Sequence, residues 1–415
     1  MLREWIAVLL CALMFAGSTG CRAEGPGKRD GWEERTAEEA AHILGLTAEQ
    51  RQEDFAYLER ELRDSYPCWG ILEREGIDYD AIFEEYREMV ANEDSDVSLY
   101  VAVNSALYRL GGAGHLSLLQ PEWYEEFKEA YAETEDRTQW YQAMDAPASR
   151  EGYPRLSEMV QAAFPEETDS AEGMGTSSSE NITSLIIEEG KIAYLKIDSF
   201  MGTYDVDRKR VIAFLNEVRG YDHLILDISQ NSGGSDYYWR DLLVAQLANE
   251  TLSSTNYALV RNSENTAKYL QEAFGEDGLR PIAELPALPR LEARDREIAT
   301  HFLENTLTVE PAGDGFHGKI WLLVGNLVYS SAEAFTVFCR DTGFATIVGT
   351  ATGGDGIGID PVFIRLPNSG ILVRYSPLFG LNPDGSSNEE YGTTPDILSP
   401  DGEEPLVTAL RAIRA

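Results

Sequence analysis

The 415-residue sequence is short of positive charge, cysteine and histidine. Only 34 Lys and Arg stand against 71 Asp and Glu, a net charge of −37. So acidic a surface repels phosphate backbones and anionic lipid headgroups, which argues against nucleic-acid binding. The plain reading of that charge is a solvated, self-repelling surface. Four cysteines (11, 21, 68, 339) form no CxxC pair, and five histidines (42, 115, 223, 301, 317) form no HExxH or comparable spacing. A metal centre has no ligand set to rest on, so no metal and no cofactor are expected. No internal repeat is present.

What is there begins with an export pattern. Arg3 precedes the apolar run Ile6 to Ala16, which is too short to span a bilayer. Ser18-Thr19-Gly20-Cys21 follows and resembles a bacterial lipobox, with Ser18 where a larger aliphatic residue is usual. Residues 1–21 are therefore expected to be a signal peptide with Cys21 lipidated, and 22–35 (RAEGPGKRDGWEER) a polar tether. This implies the bacterial cell surface or the extracytoplasmic face of the membrane, with lipid as the sole membrane contact. Ordinary cleavage near Gly17 to Gly20 and secretion is the alternative. Such a route permits a Cys68–Cys339 disulfide, although neither spacing requires one and both residues also read as small buried hydrophobes.

Hydrophobic residues make up 43% of the chain and aromatics 10%, as in ordinary globular proteins, and the length allows two or three domains. Apolar residues three and four apart in DFAYLERELRDSY and YDAIFEEYREMVAN predict a small helical domain over 36–120. Residues 121–181 read as a helical connector ending in a polar, flexible stretch, 166–181. Beyond it SLIIEE, KIAYLKID, HLILDIS and IWLLVG are short β-rich runs alternating with helical ones. That alternation predicts an α/β domain over 182–415 with a buried sheet. Residues 262–315 read as a mostly helical insertion, and 404–414 as a closing amphipathic helix.

Three segments could carry chemistry. In LILDISQNSGGS a buried strand runs into Asn231, Gly233 and Gly234, whose backbone N–H groups could face a ligand oxygen. A tight turn needing positive φ explains the same glycines. In WLLVGNLVYSSAEAF, Ser330 and Ser331 stand at the start of a helix, where developing negative charge is favoured. Ser330 read as an N-cap is the plainer account. In GGAGHLSLL, His115 sits in a glycine-rich break, whereas His42 and His301 fall in helical pattern and His223 precedes a strand.

In order, these segments resemble the tail-specific (C-terminal processing) serine peptidase superfamily. LDISQNSGG is similar to its Asp-x-Arg-x-Asn-x-Gly-Gly motif, with Ser229 in place of the arginine. YSSAEAF followed by TIVGTATGG is similar to its Ser-x-x-Glu and Val-Gly-x-x-Thr-x-Gly segments, and EEYGTTPDI to its closing Glu-x-x-Gly-Val-x-Pro-Asp. The resemblance implies a ClpP/crotonase-like β/α catalytic domain preceded by a small helical domain. It implies Ser330 as nucleophile. The general-base lysine of the tail-specific branch maps to Asp355, so a Ser–Lys dyad is not expected.

No PDZ-like segment is evident. Gly114-His115 is instead similar to the Asp-Gly-His of the branch containing the tricorn protease core and the retinoid-binding repeats, with Ala113 in place of the aspartate. The resemblance thus implies a Ser330–His115 pair, an oxyanion site from the N–H groups of Gly233 or Gly234 and Ser331, and Glu389, beside Glu390, as the residue that orients His115. The expected activity is hydrolysis of polypeptide substrates by an endopeptidase. A catalytically silent module for apolar ligands or peptides, and an esterase with the same pair, are the alternatives. Oligomeric state is not legible.

Overall fold

The computed structural model describes residues 40–164, 181–201 and 204–415. The expected signal segment with Cys21, the tether 22–35 and nearly all of the stretch 166–181 lie outside the described residues. The chain forms two compact units, between which it passes several times.

The first unit opens with helices α1 (Ala48–Ser65), α2 (Trp69–Arg74), α3 (Tyr79–Asn92) and α4 (Asp96–Arg109). Strand β1 (Ser117–Leu118) and helices α5 (Tyr124–Glu133), α6 (Thr138–Met144) and α7 (Pro147–Ala163) follow. The second unit takes over with β2 (Ile182–Glu188), β3 (Ile192–Ile197), α8 (Tyr204–Glu217), β4 (His223–Asp227), α9 (Asp236–Trp239) and β5 (Leu252–Val260). Helix α10 (Glu264–Phe274) belongs to the first unit. Then β6 (Arg280–Pro281), α11 (Ala293–Ile298), β7 (His301–Val309), β8 (Lys319–Val324), α12 (Ser331–Thr342) and β9 (Thr346–Gly349) return to the second. Strands β10 (Val362–Arg365) and β11 (Leu372–Tyr375) belong to the first unit, and β12 (Leu378–Leu381), α13 (Asn388–Tyr391), β13 (Ile397–Leu398) and α14 (Pro405–Ile413) complete the second.

In the first unit, the period seen in the sequence becomes a packed face. Helix α1 starts at a capping box between Thr47 and Gln50 and buries Phe55, Leu58 and Leu62. Each such side chain contributes about 1.5–3 kcal/mol on burial. Asp54 on the same helix is fully buried, and it accepts the N–H groups of Asn368 and Ser369, both at 2.8 Å. Burial raises its carboxyl above the usual range, against the pull of those donors. It thereby fixes the turn between β10 and β11. Those strands form an antiparallel sheet in the order β1-β11-β10, with Ser117 opposite Arg374 and Leu118 opposite Val373. Helix α4 stops where Gly111, Gly112 and Gly114 take positive φ, as the glycine cluster predicts.

The second unit is built on a six-stranded sheet, β13-β9-β8-β4-β3-β2. It is parallel except for the edge strand β2. The central strands are apolar on both faces, as a sheet covered on both sides requires. Leu224, Leu226 and Leu322 enter a large core with Trp239, Phe335 and Phe338 from the helices, while Ile225, Trp321 and Leu323 meet α14 on the other face. The mixed α/β architecture with a helical N-terminal region is that expected from the sequence.

The region 262–315 departs from its helical expectation. Only α10 and the short α11 are α-helical, while β7 pairs with β5 along nine residues in a second, antiparallel sheet, β12-β5-β7-β6. Cross-strand hydroxyl pairs, Thr255 with Thr306 and Ser253 with Thr308, account for the β choice of LENTLTV. His301 accordingly begins a strand, and His42 lies in a turn, rather than within helices.

Candidate active site

The sheet of the second unit ends, at the C-terminal edge of its parallel strands, in three turns that meet. The first follows β4. Asp227 accepts the N–H and hydroxyl of Ser229 at 2.9 and 2.7 Å on one oxygen and the hydroxyl of Tyr194 at 2.6 Å on the other. Asn231, fully buried, donates to the Ile197 carbonyl at 3.2 Å and accepts the Gly233 N–H at 2.9 Å. These contacts lock the turn. They also occupy the Gly233 N–H, one of the two glycine donors expected at an oxyanion site. Gly234, at φ 135°, makes no N–H bond among the described residues and is solvent-exposed.

The second turn leads from β8 into α12 and carries Ser330. Its backbone is at φ 55°, ψ −126°, a region an L-residue enters at a cost of about 1–3 kcal/mol. A serine on such a strand-to-helix turn is presented outward from the sheet, as nucleophiles of acyl-transfer enzymes are. The N-cap reading fails. Ser330 occupies the N-cap position, yet its hydroxyl makes no capping bond. The turn is held instead by its backbone, with Ser330 N–H on the Gly354 carbonyl at 3.1 Å and Ala334 N–H on the Ser330 carbonyl at 2.8 Å. The N–H of Ser331, first residue of α12, bonds no group among the described residues, as the first helical donors do not.

The two turns touch. A Cβ on Gly233 would stand 3.0 Å from Ser330 Cβ, 2.9 Å from the Tyr329 carbonyl oxygen and 3.1 Å from Ser331 N. Only glycine permits that approach. The Gly-Gly turn, Ser330 and the Ser331 N–H therefore lie together, which is the arrangement acyl transfer needs.

The third turn, after β9, and the segment carrying α13 support Ser330 from behind. Glu333 in the first turn of α12 is wholly buried. One of its oxygens accepts Asn388 Nδ2 at 2.8 Å and Thr393 Oγ1 at 2.7 Å, while the other has no partner among the described residues. Burial pushes the carboxyl up to about 7, against the hydrogen bonds and Arg340 that lower it. Asn388 in turn accepts the Gly356 N–H at 2.8 Å. Gly356 packs so closely on α12 that a Cβ would come within 2.5 Å of Glu333 Cγ. Asp355, where the lysine of a Ser–Lys dyad would stand, is a half-buried residue of this turn at φ 53°. Glu389 accepts the Tyr329 hydroxyl at 3.3 and 3.2 Å on its two oxygens, and Glu390 donates its N–H to Ser387 Oγ.

His115 belongs to the first unit, half-buried and at φ 58° just before β1. Its Nδ1 is 3.4 Å from Ser376 Oγ. Cys68 and Cys339 are buried in different units, and neither forms a disulfide. Tyr329, Asn388 and Ser376 all escape a reading of the sequence by residue type, and so does the burial of Glu333, the glutamate of the Ser-x-x-Glu segment. Ser330-x-x-Glu333 is misleading in particular, since that spacing is also a helix capping box.

The sequence matches the S41 peptidase family over residues 191–399, half of the chain. None of the curated proteins matches it. Among solved structures, a candidate peptidase from Parabacteroides merdae superposes with a TM-score of 0.52 at 17% identity, covering 88% of this chain and 97% of that one. Mature CPAF superposes with a TM-score of 0.51 at 14% identity, covering 85% and 92%. Identities this low speak for a shared fold. The family match, which spans all three turns, speaks for the chemistry: the chain belongs to peptidase family S41, the tail-specific serine peptidases.

Proposed function

We propose that this peptidase is an extracytoplasmic endopeptidase that cleaves polypeptides by a Ser330–His115 mechanism. Ser330 attacks the scissile carbonyl carbon as neutral His115 takes its proton, and the imidazolium then protonates the leaving amine. Water enters by the same route in reverse and releases the acyl group. The oxyanion is held by the N–H groups of Gly234 and Ser331, since that of Gly233 is bound to Asn231.

One observation carries the nucleophile: Ser330 bears a strained backbone at a helix start without using its hydroxyl as a cap. A residue that only terminated a helix would have no reason for that conformation. The choice of histidine rests on chemistry. Asp355 cannot serve as the lysine of a dyad, and His115 is set in a left-handed turn that presents it from a glycine-rich break. The location rests on the N-terminal sequence, in which Cys21 is the residue to be lipidated and to hold the enzyme on the membrane's outer face.

Labelling with a fluorophosphonate probe tests the mechanism. The wild-type protein should label, Ser330→Ala should not, and His115→Ala should label far more slowly. A folded wild-type protein that stays unlabelled across neutral pH would sink the reading in favour of a silent binding module. Incorporation of labelled palmitate, lost in Cys21→Ala, tests the anchor.

A further inference from the structure

The residue that orients His115 is open to assignment from the strand pairing of the first unit. Strands β1 and β11 run antiparallel, with Ser117 opposite Arg374 and Leu118 opposite Val373. Extending that register by two residues sets His115 opposite Ser376. The backbone shifts from it by one residue there, for the Ser376 N–H donates to the Gly114 carbonyl at 2.6 Å and His115, at φ 58°, takes up the shift. Side chains of neighbouring strands this close in register still come within contact distance. Here Ser376 Oγ lies 3.4 Å from His115 Nδ1.

Ser376 is itself held firmly. It is 2% exposed, and its Cβ would be 3.4 Å from a Cβ built on Gly114. Cys68 Sγ would lie 3.3 Å from that same built Cβ, and the neighbouring Ala113 carbonyl accepts the buried Tyr66 hydroxyl at 2.7 Å. The turn that bears His115 is thus clamped against the end of β11, with a hydroxyl placed at Nδ1. Bonds of this kind are long in unliganded enzymes and tighten in the working complex.

We infer that Ser376 is a positioning residue for His115, accepting a hydrogen bond from Nδ1–H and so fixing the tautomer whose lone pair is on Nε2. That is the tautomer a general base requires, since Nε2 can then accept the Ser330 proton. A hydroxyl serves where a carboxylate would in other triads: it sets ring and tautomer without adding charge. The inference rests on the Ser330–His115 reading, and it gives the orienting role expected of Glu389 to a residue of His115's own sheet.

The test combines a spectroscopic and a kinetic measurement on the full chain. In protein labelled with ¹⁵N-histidine, the His115 signals are those lost in His115→Ala. With the ring neutral they should report the Nδ1–H tautomer, and Ser376→Ala should move the population toward Nε2–H. A wild-type His115 in the Nε2–H form would overturn the inference without any variant having to fold. Kinetically, Ser376→Ala should slow fluorophosphonate labelling of Ser330 about tenfold, the effect of one lost hydrogen bond, and Ser376→Thr should recover most of it. Added to His115→Ala, Ser376→Ala should slow labelling no further. A further slowing there would mean a structural role and overturn the inference. If His115→Ala is slow while Ser376→Ala labels at the wild-type rate, the positioning role fails alone. If His115→Ala labels like wild type, the Ser–His reading fails and takes the positioning role with it.

Discussion

The hydroxyl of Tyr329 donates to Glu389 across both carboxylate oxygens, at 3.3 and 3.2 Å. Tyr329 immediately precedes Ser330, the proposed nucleophile, and its carbonyl accepts the N–H of Ala332 at 3.1 Å, inside the first turn of α12. A residue near the end of the domain is thereby tied to the strained turn itself. Tyr329→Phe removes one hydrogen bond at a half-buried site, so we expect a loss of stability of about 1 kcal/mol. Ser330 labelling should slow several-fold. Urea unfolding beside labelling rates separates the two effects, and a variant that labels at the wild-type rate would show that Glu389 contributes nothing through Tyr329.

Relief of strain at Ser330 should be measurable. Ser330→Ala and Ser330→Gly both remove the hydroxyl, and both should abolish labelling. Only glycine adopts φ 55°, ψ −126° without penalty. Strain relief is worth about 1–3 kcal/mol, and glycine's greater freedom in the unfolded chain returns about 0.5–1 kcal/mol of it. Ser330→Gly should therefore be more stable than Ser330→Ala by about 1 kcal/mol in denaturant unfolding. Equal stabilities would mean that the turn stores no strain.

Gly233→Ala tests the meeting of the two turns. The new methyl would lie 3.0 Å from Ser330 Cβ and 2.9 Å from the Tyr329 carbonyl oxygen, at a φ of 113°. One turn must move. Even about 1 Å of displacement at a nucleophile costs on the order of 100-fold in rate, so labelling should fall by at least that much. Gly402→Ala serves as the control. It also has positive φ, but nothing lies within 4 Å of its Cβ. It should lose some stability and keep its labelling rate.

Much of this site is legible in the chain because it lies on elements whose pattern is strong. The runs HLILD and KIWLLV announce buried strands, and a polar or glycine-rich turn after each marks where a parallel sheet presents its chemistry. Ser330 and the Gly233–Gly234 pair are found on that basis. What the pattern hides is of two kinds. The strand choice of HFLENTLTV depends on pairing with β5, a contact far away in sequence, so the helical reading of 262–315 had only local composition to go on. The partners of functional groups are likewise set by tertiary approach. Nothing in Ser330-x-x-Glu333 distinguishes a solvent-facing capping box from a buried carboxyl that meets Asn388 and Thr393. The role of Gly233 changes for the same reason, because its N–H is taken by a buried asparagine two residues away.

That buried carboxyl gives the last prediction, in the pH dependence of stability. Glu333 is held near 7 in the folded protein, against an ordinary value of 4.5. The folded state therefore binds a proton that the unfolded state has lost between about pH 4.5 and 7, so stability falls as pH rises across that window. The contribution is complete below the unfolded value and gone above the folded one. A shift of this size corresponds to roughly 3 kcal/mol at most, by the standard conversion of a pKa difference. Glu333→Gln keeps the shape and an oxygen for Asn388 and Thr393 but cannot titrate. Urea unfolding of both proteins at pH 5 and pH 8 should show a smaller difference between the two pH values in the variant. Other carboxylates add their own slopes, and these cancel when the two proteins are compared. A pH difference identical in Glu333→Gln and wild type would mean that Glu333 is already ionised at pH 5, its charge held by Asn388, Thr393 and Arg340 despite burial. The helix that Ser330 opens would then be anchored by an ion rather than by a neutral acid.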